Sequence, residues 1–317
     1  MSSTHSSSHS HSHSSHSSHS SHSKSSRSRR RRSSDVKAFR KTRYFFAFLL
    51  FVSVTVFSLS AAAKACPLNK SRVAQTFTNA QYVSGLYEDV RTYSEDMCQR
   101  NFVPESALDG IITFGAVDEI NRSYVLGTMS LDEKYSSTVY TDNIADLSAE
   151  LEKSISATLK DSDIKVAKEQ QNGAKSLAND IGSYLLNRMS ITYLNSIKTV
   201  LNLGTTAAVV SMIVSGIISV ALALIVITMG SELYRNVRSI SHSLSASALS
   251  CFFACGVYGI VHDTKALGLY PLYLNNSVMD FLSSCVNTLL FTGVILLVMS
   301  FVTMTQAWRL KSKALDS

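Results

Sequence analysis

The residue types that most often carry chemistry are unevenly distributed in this chain of 317 residues. Seven of the nine histidines lie in an N-terminal tract, and none lies between residues 64 and 203. That middle region therefore lacks the usual general base and the commonest metal ligand. Its adjacent carboxylates, such as Glu88 and Asp89, are neighbours on a predicted helix and point in different directions, so solvated faces explain them best. We predict no enzyme, no catalytic residue and no cofactor.

Two sets of residues are candidates for metal ligands. His262, Asp263 and Asp280 stand at the adjoining ends of two predicted helices and could converge there. A solvated loop explains these three residues better than a metal site does. The histidines of the N-terminal tract could chelate a transition metal, but a solvated tail that binds metal adventitiously is the preferred interpretation. No metal ion is predicted.

The five cysteines suggest one candidate disulfide. Cys66 and Cys98 are the cysteines of the middle region, and an even pair outside the cell favours a bridge. A straight helix over residues 71–97 would hold the two thiols far apart, unless the chain doubles back or the helix breaks near Gly85. Cys251 and Cys255 share a helix face and could bind a soft metal, but packing explains them better.

Charge separates an N-terminal arm from the rest of the chain. Charged residues make up 17% of the sequence, against about 25% in a soluble domain, and the net charge is +7. Residues 1–43 are rich in Ser, His and Arg, with almost no apolar side chains, so they are expected to be disordered. Because the excess of cations is confined to this arm, its expected partner is an anionic bilayer surface, and no nucleic acid is predicted.

Four apolar stretches are each long enough to cross a bilayer as a helix. About 20 residues are needed, and only helices and closed barrels satisfy their backbone groups in lipid. Each stretch lacks Asp, Glu, Lys and Arg, and each is too long for a strand. We predict membrane helices at residues 44–63, 203–230, 239–261 and 281–308.

Basic residues give these spans an orientation. They flank the spans in the arm, in loop 231–238 (Arg235 and Arg238) and in the tail 309–317. Loop 262–280, in contrast, holds Lys265 as its one Lys or Arg, against Asp263. Cations collect on the cytoplasmic side of short loops. The expected protein is a multi-pass protein of the cell membrane with both termini in the cytoplasm and residues 64–202 outside. Three glycosylation sequons, at Asn69, Asn121 and Asn275, fall on the predicted outer side.

The first span has an alternative interpretation. Ala63-Lys64-Ala65 before Cys66 has the small-x-small form of a signal-peptidase site, and cleavage there would leave three helices. The long leader and the long apolar core favour an uncleaved anchor.

Residues 64–202 are expected to fold as an antiparallel helical bundle. Apolar residues step by three or four from Val73 to Met97 and from Ile144 to Leu159, and Pro104 suits the first turn of a short helix. A third pattern runs from Val166 towards the second span. No alternating stretch of strand length stands out.

Small residues recur every four positions in the last three spans. In a bilayer, small side chains let helix backbones approach closely. We therefore expect the second, third and fourth spans to pack against each other or against a second copy of the chain. Asn287 is the amide well inside a span and could bond across helices. The predicted packing residues are Ala207, Ser211, Ser215, Ser219, Ala223, Ser243, Ser247, Cys251, Cys255, Gly259, Ser284, Thr288 and Thr292.

The fold class expected from these patterns is all-α: a multi-pass membrane protein with four transmembrane helices and an extracytoplasmic helical-bundle domain. The function that fits best is a non-catalytic component that binds a ligand or partner, or acts as a scaffold, through its outer helical domain. The expected partners are the lipid bilayer and either another protein or further copies of this chain. The alternative is a subunit of an oligomeric channel or transporter formed by the second to fourth helices.

Overall fold

The computed structural model describes residues 25–135, 138–161, 168–191, 194–229, 233–262 and 268–316. Their backbone is helical or forms short turns, and none of them lies in a β-strand, which confirms the all-α prediction. The chain forms two compact units, residues 1–45 and residues 46–317. In the first unit, helix α1 (Ser25–Ala65) begins inside the arm that was expected to be disordered. Residues 1–24 of that arm lie outside the described residues.

Four helices of the described chain are long and apolar enough to cross a membrane. They are α1 and three later helices, α7 (Leu194–Thr228), α8 (Leu233–His262) and α9 (Leu272–Asp316), which we call the membrane helices. Each begins before its predicted span, and all but α7 also end after it, because a helix continues past the first charged residue as long as its backbone bonds are satisfied. Helix α7 ends at Thr228, where the Asn236 side chain donates to the carbonyls of Ile227 (3.1 Å) and Met229 (2.7 Å).

Five α-helices are described between α1 and α7. They are α2 (Lys70–Thr78), α3 (Ala80–Arg100), α4 (Phe114–Met129), α5 (Val139–Asp161) and α6 (Lys168–Met189), with a 3₁₀ turn at Glu105–Leu108. The apolar pattern from Val73 to Met97 forms two helices, α2 and α3, and not one straight helix. The chain changes direction at Asn79, whereas Gly85 lies within α3. Asn79 ends α2 and caps α3, where its Oδ1 accepts from the Tyr82 N–H at 2.7 Å. Such a cap satisfies a backbone donor that a helix start leaves unpaired.

These five helices share one apolar core with the first turns of α7 and α9, and we call this assembly the helical domain. Leu86, Leu151, Ile155 and Leu185 are fully buried in it. Tyr273 and Phe281 of α9 pack against the same core. Helices α7 and α9 therefore each begin in the core of the helical domain and continue without a break into the apolar stretch that is long enough to cross a membrane.

The close approach of α9 to α3 depends on a glycine. A Cβ on Gly85 would overlap the Cβ of Tyr273, so no larger residue fits without a shift of one helix. The Tyr273 ring lies edge-on to Tyr82, with centroids 5.2 Å apart. This contact fixes the start of α9 on the surface of α3.

Candidate ligand-binding cleft

A cleft of about 890 Å³ opens on the helical domain where α4, α5, α6 and α7 meet. One wall is the turn after α4, and the other is formed by Ser190 and Ile191 after α6 and by Asn195 and Lys198 of α7. The volume lies within the range of small-molecule sites. Its described lining includes Tyr124, Ser130, Asp132, Tyr140, Asn195 and Lys198.

Local backbone chemistry creates the first wall. Ser130 adopts a left-handed conformation (φ 53°) and ends α4, while the Leu131 N–H bonds back to the Leu126 carbonyl at 3.0 Å. This pairing closes the end of a helix and turns the chain sharply. The following loop is held in place because Asp132 accepts from the Lys134 N–H (3.0 Å) and the Tyr135 hydroxyl donates to Glu119 (3.1 Å).

Two tyrosines line the inner part of the cleft. Tyr124 is buried and meets Tyr140 edge-on, with ring centroids 5.2 Å apart. The Tyr124 hydroxyl donates to the Ile191 carbonyl at 3.4 Å. Burial raises the pKa of Tyr124, so the phenol stays protonated and acts as a hydrogen-bond donor. The lining is aromatic on the inside and polar at the rim.

The rim carries charges of both signs. Lys198 of α7 donates to the Ser130 hydroxyl at 2.8 Å, and Asp132 and Glu133 stand on the loop beside it. A serine next to a lysine can serve as a nucleophile and base when the lysine is buried and uncharged. Here the hydrogen bond is exposed to solvent. The pair therefore suits binding better than nucleophilic attack.

A second polar cluster joins α3 to α6. Arg188 pairs with Asp89 (Nε to Oδ2, 3.0 Å) and donates to the Tyr184 hydroxyl at 2.9 Å, while Tyr184 donates to Asp89 at 3.2 Å. The Tyr184 ring stacks on Tyr93 with centroids 3.7 Å apart. Asp89 is thus a partly buried ion-pair partner between two helices, whereas the adjacent carboxylates Glu88 and Asp89 were predicted to be solvated. The pairing joins helices distant in sequence, which no local pattern reveals.

The predicted packing residues divide into two groups. Several of those on α7 and α8 contact α1, a neighbour that the prediction did not include. Ser53 of α1 donates to the Ser215 carbonyl (2.8 Å) and lies 2.9 Å from the Ser219 hydroxyl. On α8, Ser243 donates to the Ala47 carbonyl (2.8 Å). Further contacts of this kind come from Ser60 to Ser211 and between Ser247 and both Thr55 and the Phe51 carbonyl, and Ala223 packs beside Leu50.

Helix α9 meets the other side of α8. Cys251 is buried, and its Cβ would lie 3.2 Å from a Cβ placed on Gly293 of α9. The Cys255 thiol donates to the Val286 carbonyl of α9 at 3.6 Å. Both cysteines therefore take part in helix packing. Thr288 and Thr292 donate to carbonyls of their own helix, and Ser284 accepts from Arg72 at 3.2 Å. Two predicted packing residues, Ala207 and Gly259, are exposed.

Of the remaining predicted site residues, Asn287 and Asp280 are among those that the structure describes. Asn287 is exposed on α9. Asp280 lines a small cavity of about 190 Å³ beside Arg72 of α2. Asp263 and the side chain of His262 lie outside the described residues. Among the side chains that are described, no group of three or more His, Cys, Asp or Glu could hold a metal ion.

The candidate disulfide between Cys66 and Cys98 is not formed, since both are free and buried cysteines. Two of the three sequons are also internal. Asn121 is fully buried and donates to the Phe77 carbonyl at 2.7 Å, and Asn275 is 4% exposed. A glycan does not fit at either position in this fold, so these sequons give no support for an outer location.

Comparison with known proteins gave no match: no protein-family model, no curated protein and no solved structure matches this chain. The function has to be argued from the cleft and from the arrangement of the helices.

Proposed function

We propose that this protein is a non-catalytic membrane component that binds a small polar ligand in the cleft of its helical domain, on the extracytoplasmic side of the cell membrane. The membrane helices anchor the domain, and both chain termini lie in the cytoplasm. The observation that carries the proposal is a cleft of about 890 Å³ with an aromatic interior and charges of both signs at its rim.

The orientation is supported by two independent features. Tyr273 and Phe281, at the start of α9, pack on the core of the helical domain, so α9 begins at the same end of the membrane helices as the domain. The other end carries Arg235 and Arg238, in agreement with the excess of cations on cytoplasmic loops.

The chemistry of the rim selects the ligand class. Lys198 can receive an anionic group, and Asp132 and Glu133 can receive a cationic one. The tyrosine faces suit an apolar or cationic part between them. A zwitterion such as a short peptide with free ends has these three features. Because Lys198 stands on α7, a ligand held there touches a helix that continues into the membrane.

The ligand class is tested on the full-length protein in detergent. Thermal unfolding is followed with short peptides, free amino acids and uncharged sugars, because a bound ligand raises the melting temperature. We expect zwitterions to stabilise the protein and sugars to leave it unchanged. Lys198→Ala should weaken binding about tenfold, which corresponds to ~1.4 kcal/mol. Lys175→Ala, an exposed lysine outside the cleft, is the matched control. Equal binding by the two variants, or an equal response to sugars, would contradict the proposed site.

The orientation is tested separately with two epitope tags. One tag follows Ser317, and the other is inserted after Gly110, in an exposed turn of the helical domain. On intact cells, an impermeant antibody should reach the second tag and not the first. The reverse labelling would reject the orientation.

One observation favours the alternative of an oligomeric channel or transporter. Asn287 is exposed on α9 inside a stretch that is long and apolar enough to lie in lipid. A polar side chain in that position is stabilised by a partner on another helix. Flux in liposomes that falls with Asn287→Leu would support the channel, and the absence of flux for all tested solutes would remove it.

A further inference from the structure

A second cavity, of about 190 Å³, lies between α2 and the first turns of α9, and we call it the α2–α9 cavity. It shares none of its described lining residues with the ligand-binding cleft. All of these lining residues except Phe281 carry a polar or charged side chain. The cavity is therefore a polar site of its own, built where the helical domain meets a membrane helix.

The cavity lies at the level where the apolar stretches of the membrane helices begin. Asp280, on its wall, is the last charged residue before the charge-free residues 281–308 of α9. Leu68, just before α2, accepts at its carbonyl from Thr205 of α7 at 2.8 Å, and Thr205 stands at the start of the charge-free residues 203–230. Two helices thus place the cavity at the boundary between a charged and an apolar surface. Lipid head groups occupy this boundary in a bilayer.

The cavity wall carries one cation and one anion that do not pair. Among the described residues, neither Arg72 nor Asp280 forms a salt bridge. The hydrogen bond that the structure gives the Arg72 guanidinium runs to the Ser284 hydroxyl at 3.2 Å. A guanidinium fits the oxygens of a phosphate, and a carboxylate accepts from an ammonium group. The two side chains suit a ligand that carries both groups.

A buried hydroxyl on the same wall gives independent support. Ser277 is 1% exposed, and its hydroxyl has no hydrogen-bond partner among the described residues. Farther along α9, Thr288 and Thr292 each donate to a carbonyl of their own helix at 2.9 Å. A buried polar group without a partner costs free energy, so a ligand that bonds to Ser277 removes that cost.

The face of α9 below the cavity continues in a way that fits a lipid. Asp280, Ser284, Asn287 and Phe291 are spaced by four, three and four positions, so they share one face of the helix. Asn287 is exposed about one turn below Ser284, and the Phe291 ring is 65% exposed. The amide can donate to an ester carbonyl, and the ring offers an apolar surface to an acyl chain. A lipid therefore gives Asn287 a partner without a second copy of the protein.

We propose that the α2–α9 cavity binds the head group of a phospholipid with a primary ammonium group, as in phosphatidylethanolamine. The phosphate bonds to Arg72 and Ser284, the ammonium bonds to Asp280, and the Ser277 hydroxyl bonds to the same head group. A trimethylammonium group has no N–H to donate and is held instead by cages of several aromatic rings, whereas the described lining offers one ring, that of Phe281.

This second site goes beyond the proposed ligand binding in the cleft. It requires that the membrane helices lie in a bilayer, but it does not depend on which side of the membrane the helical domain occupies.

The experiment measures lipid binding to the full-length protein in detergent, after removal of bound lipid, by native mass spectrometry. Phosphatidylethanolamine, phosphatidylcholine and phosphatidylglycerol with identical acyl chains are compared with water-soluble phosphoethanolamine. We expect phosphatidylethanolamine to bind about tenfold more tightly than the other two lipids, since neither of these has an ammonium that can donate. Phosphoethanolamine should bind more weakly than the lipid, because it lacks the ester and the acyl chains.

Four variants make the test specific. Arg72→Gln should weaken the binding of all three lipids about tenfold, because each contains a phosphate. Asp280→Asn should remove the preference for phosphatidylethanolamine and leave the binding of phosphatidylcholine unchanged. Ser277→Ala should weaken lipid binding but raise the melting temperature of the lipid-free protein, because it removes an unpaired buried hydroxyl. Arg100→Gln, at a 70% exposed side chain outside the cavity, is the matched control.

Equal affinities for phosphatidylethanolamine and phosphatidylcholine would overturn the proposal, as would equal binding by the Arg72→Gln and Arg100→Gln variants. Phosphoethanolamine that binds as tightly as the lipid would overturn a lipid as the occupant. Lys198→Ala separates this site from the cleft, since it should leave lipid binding unchanged. A protein that takes up the lipid but binds no zwitterion through Lys198 would refute the cleft alone.

Discussion

The helical domain and the membrane helices are packed in opposite ways. In the helical domain, large apolar side chains such as Leu86 and Ile155 are fully buried. Among the membrane helices, large apolar side chains point outward, with Ile217 66% exposed and Phe301 70% exposed, and serines such as Ser247 lie inside. The interior of the helical domain is therefore built mainly from large apolar side chains, whereas the contacts among the membrane helices include many buried serines.

We attribute this difference to the solvent, with water around the helical domain and the proposed bilayer around the membrane helices. In water, removing apolar surface contributes about 25 cal/mol per Å², so large side chains stabilise the interior. In lipid that contribution vanishes between helices, and close backbone approach with hydrogen bonds takes its place. The inverted packing supports the proposal that α1, α7, α8 and α9 lie in a bilayer. Three predictions test the comparison.

The largest expected effect is the loss of a large side chain from the helical domain. Leu86→Ala removes a fully buried side chain from α3 and should lower the free energy of unfolding by about 2–5 kcal/mol. Ile217→Ala is the matched variant of the membrane helices, where the side chain faces outward, and should change it by less than about 0.5 kcal/mol. Both are measured by denaturant titration in the same detergent. Equal losses would show that the two regions are packed alike.

The second prediction concerns the contact that joins the two regions. Gly85→Ala places a Cβ against that of Tyr273 and should destabilise the protein by about 1–3 kcal/mol, because α3 or α9 has to move. Gly173→Ala on α6 meets no atom within 4 Å and should stabilise the helix by about 0.5–1 kcal/mol. The two glycine variants should thus change the melting temperature in opposite directions. A stabilising Gly85→Ala would mean that α9 does not rest on α3.

The sequence predicted the positions of the helices better than the contacts between them. The four apolar stretches and the amphipathic patterns are local, so the all-α class followed from them. Helix α4 was not predicted, because its buried face carries Asn121 and Ser123, which obscure the apolar stripe. The break at Asn79 was not predicted, since the capping bond of an asparagine depends on where the chain turns.

The cleft was out of reach of sequence reasoning for another reason. Its walls are the turn after α4 and the junction of α6 with α7, which approach each other only in the folded chain. No sequence pattern singled out Lys198, and its place on the rim follows from its hydrogen bond to Ser130 in the folded chain. Similarly, the small residues of α7 and α8 indicated close packing, but their period is the same whether the neighbour is α1 or another span.

The smallest expected effect lies in the serine contacts of the membrane helices. Because the Ser53 hydrogen is donated to the Ser215 carbonyl (2.8 Å), the Ser219 hydroxyl is the donor in the 2.9 Å contact with Ser53. A double-mutant cycle with Ser53→Ala and Ser219→Ala isolates this bond. We expect a coupling energy of about 0.6 kcal/mol, and no more than about 1.7 kcal/mol, as for other hydrogen bonds between membrane helices.

The control cycle pairs Ser53→Ala with Thr228→Ala, whose hydroxyl bonds to the Leu224 carbonyl of its own helix and should show no coupling to Ser53. Both cycles are measured by unfolding in mixed micelles. A coupling well above the expected range would mean that the serine pair is shielded from competing partners, as a buried bond in the helical domain is. No coupling in the Ser53–Ser219 cycle would mean that these helices are held by close packing alone, since alanine preserves the small volume that lets the backbones approach.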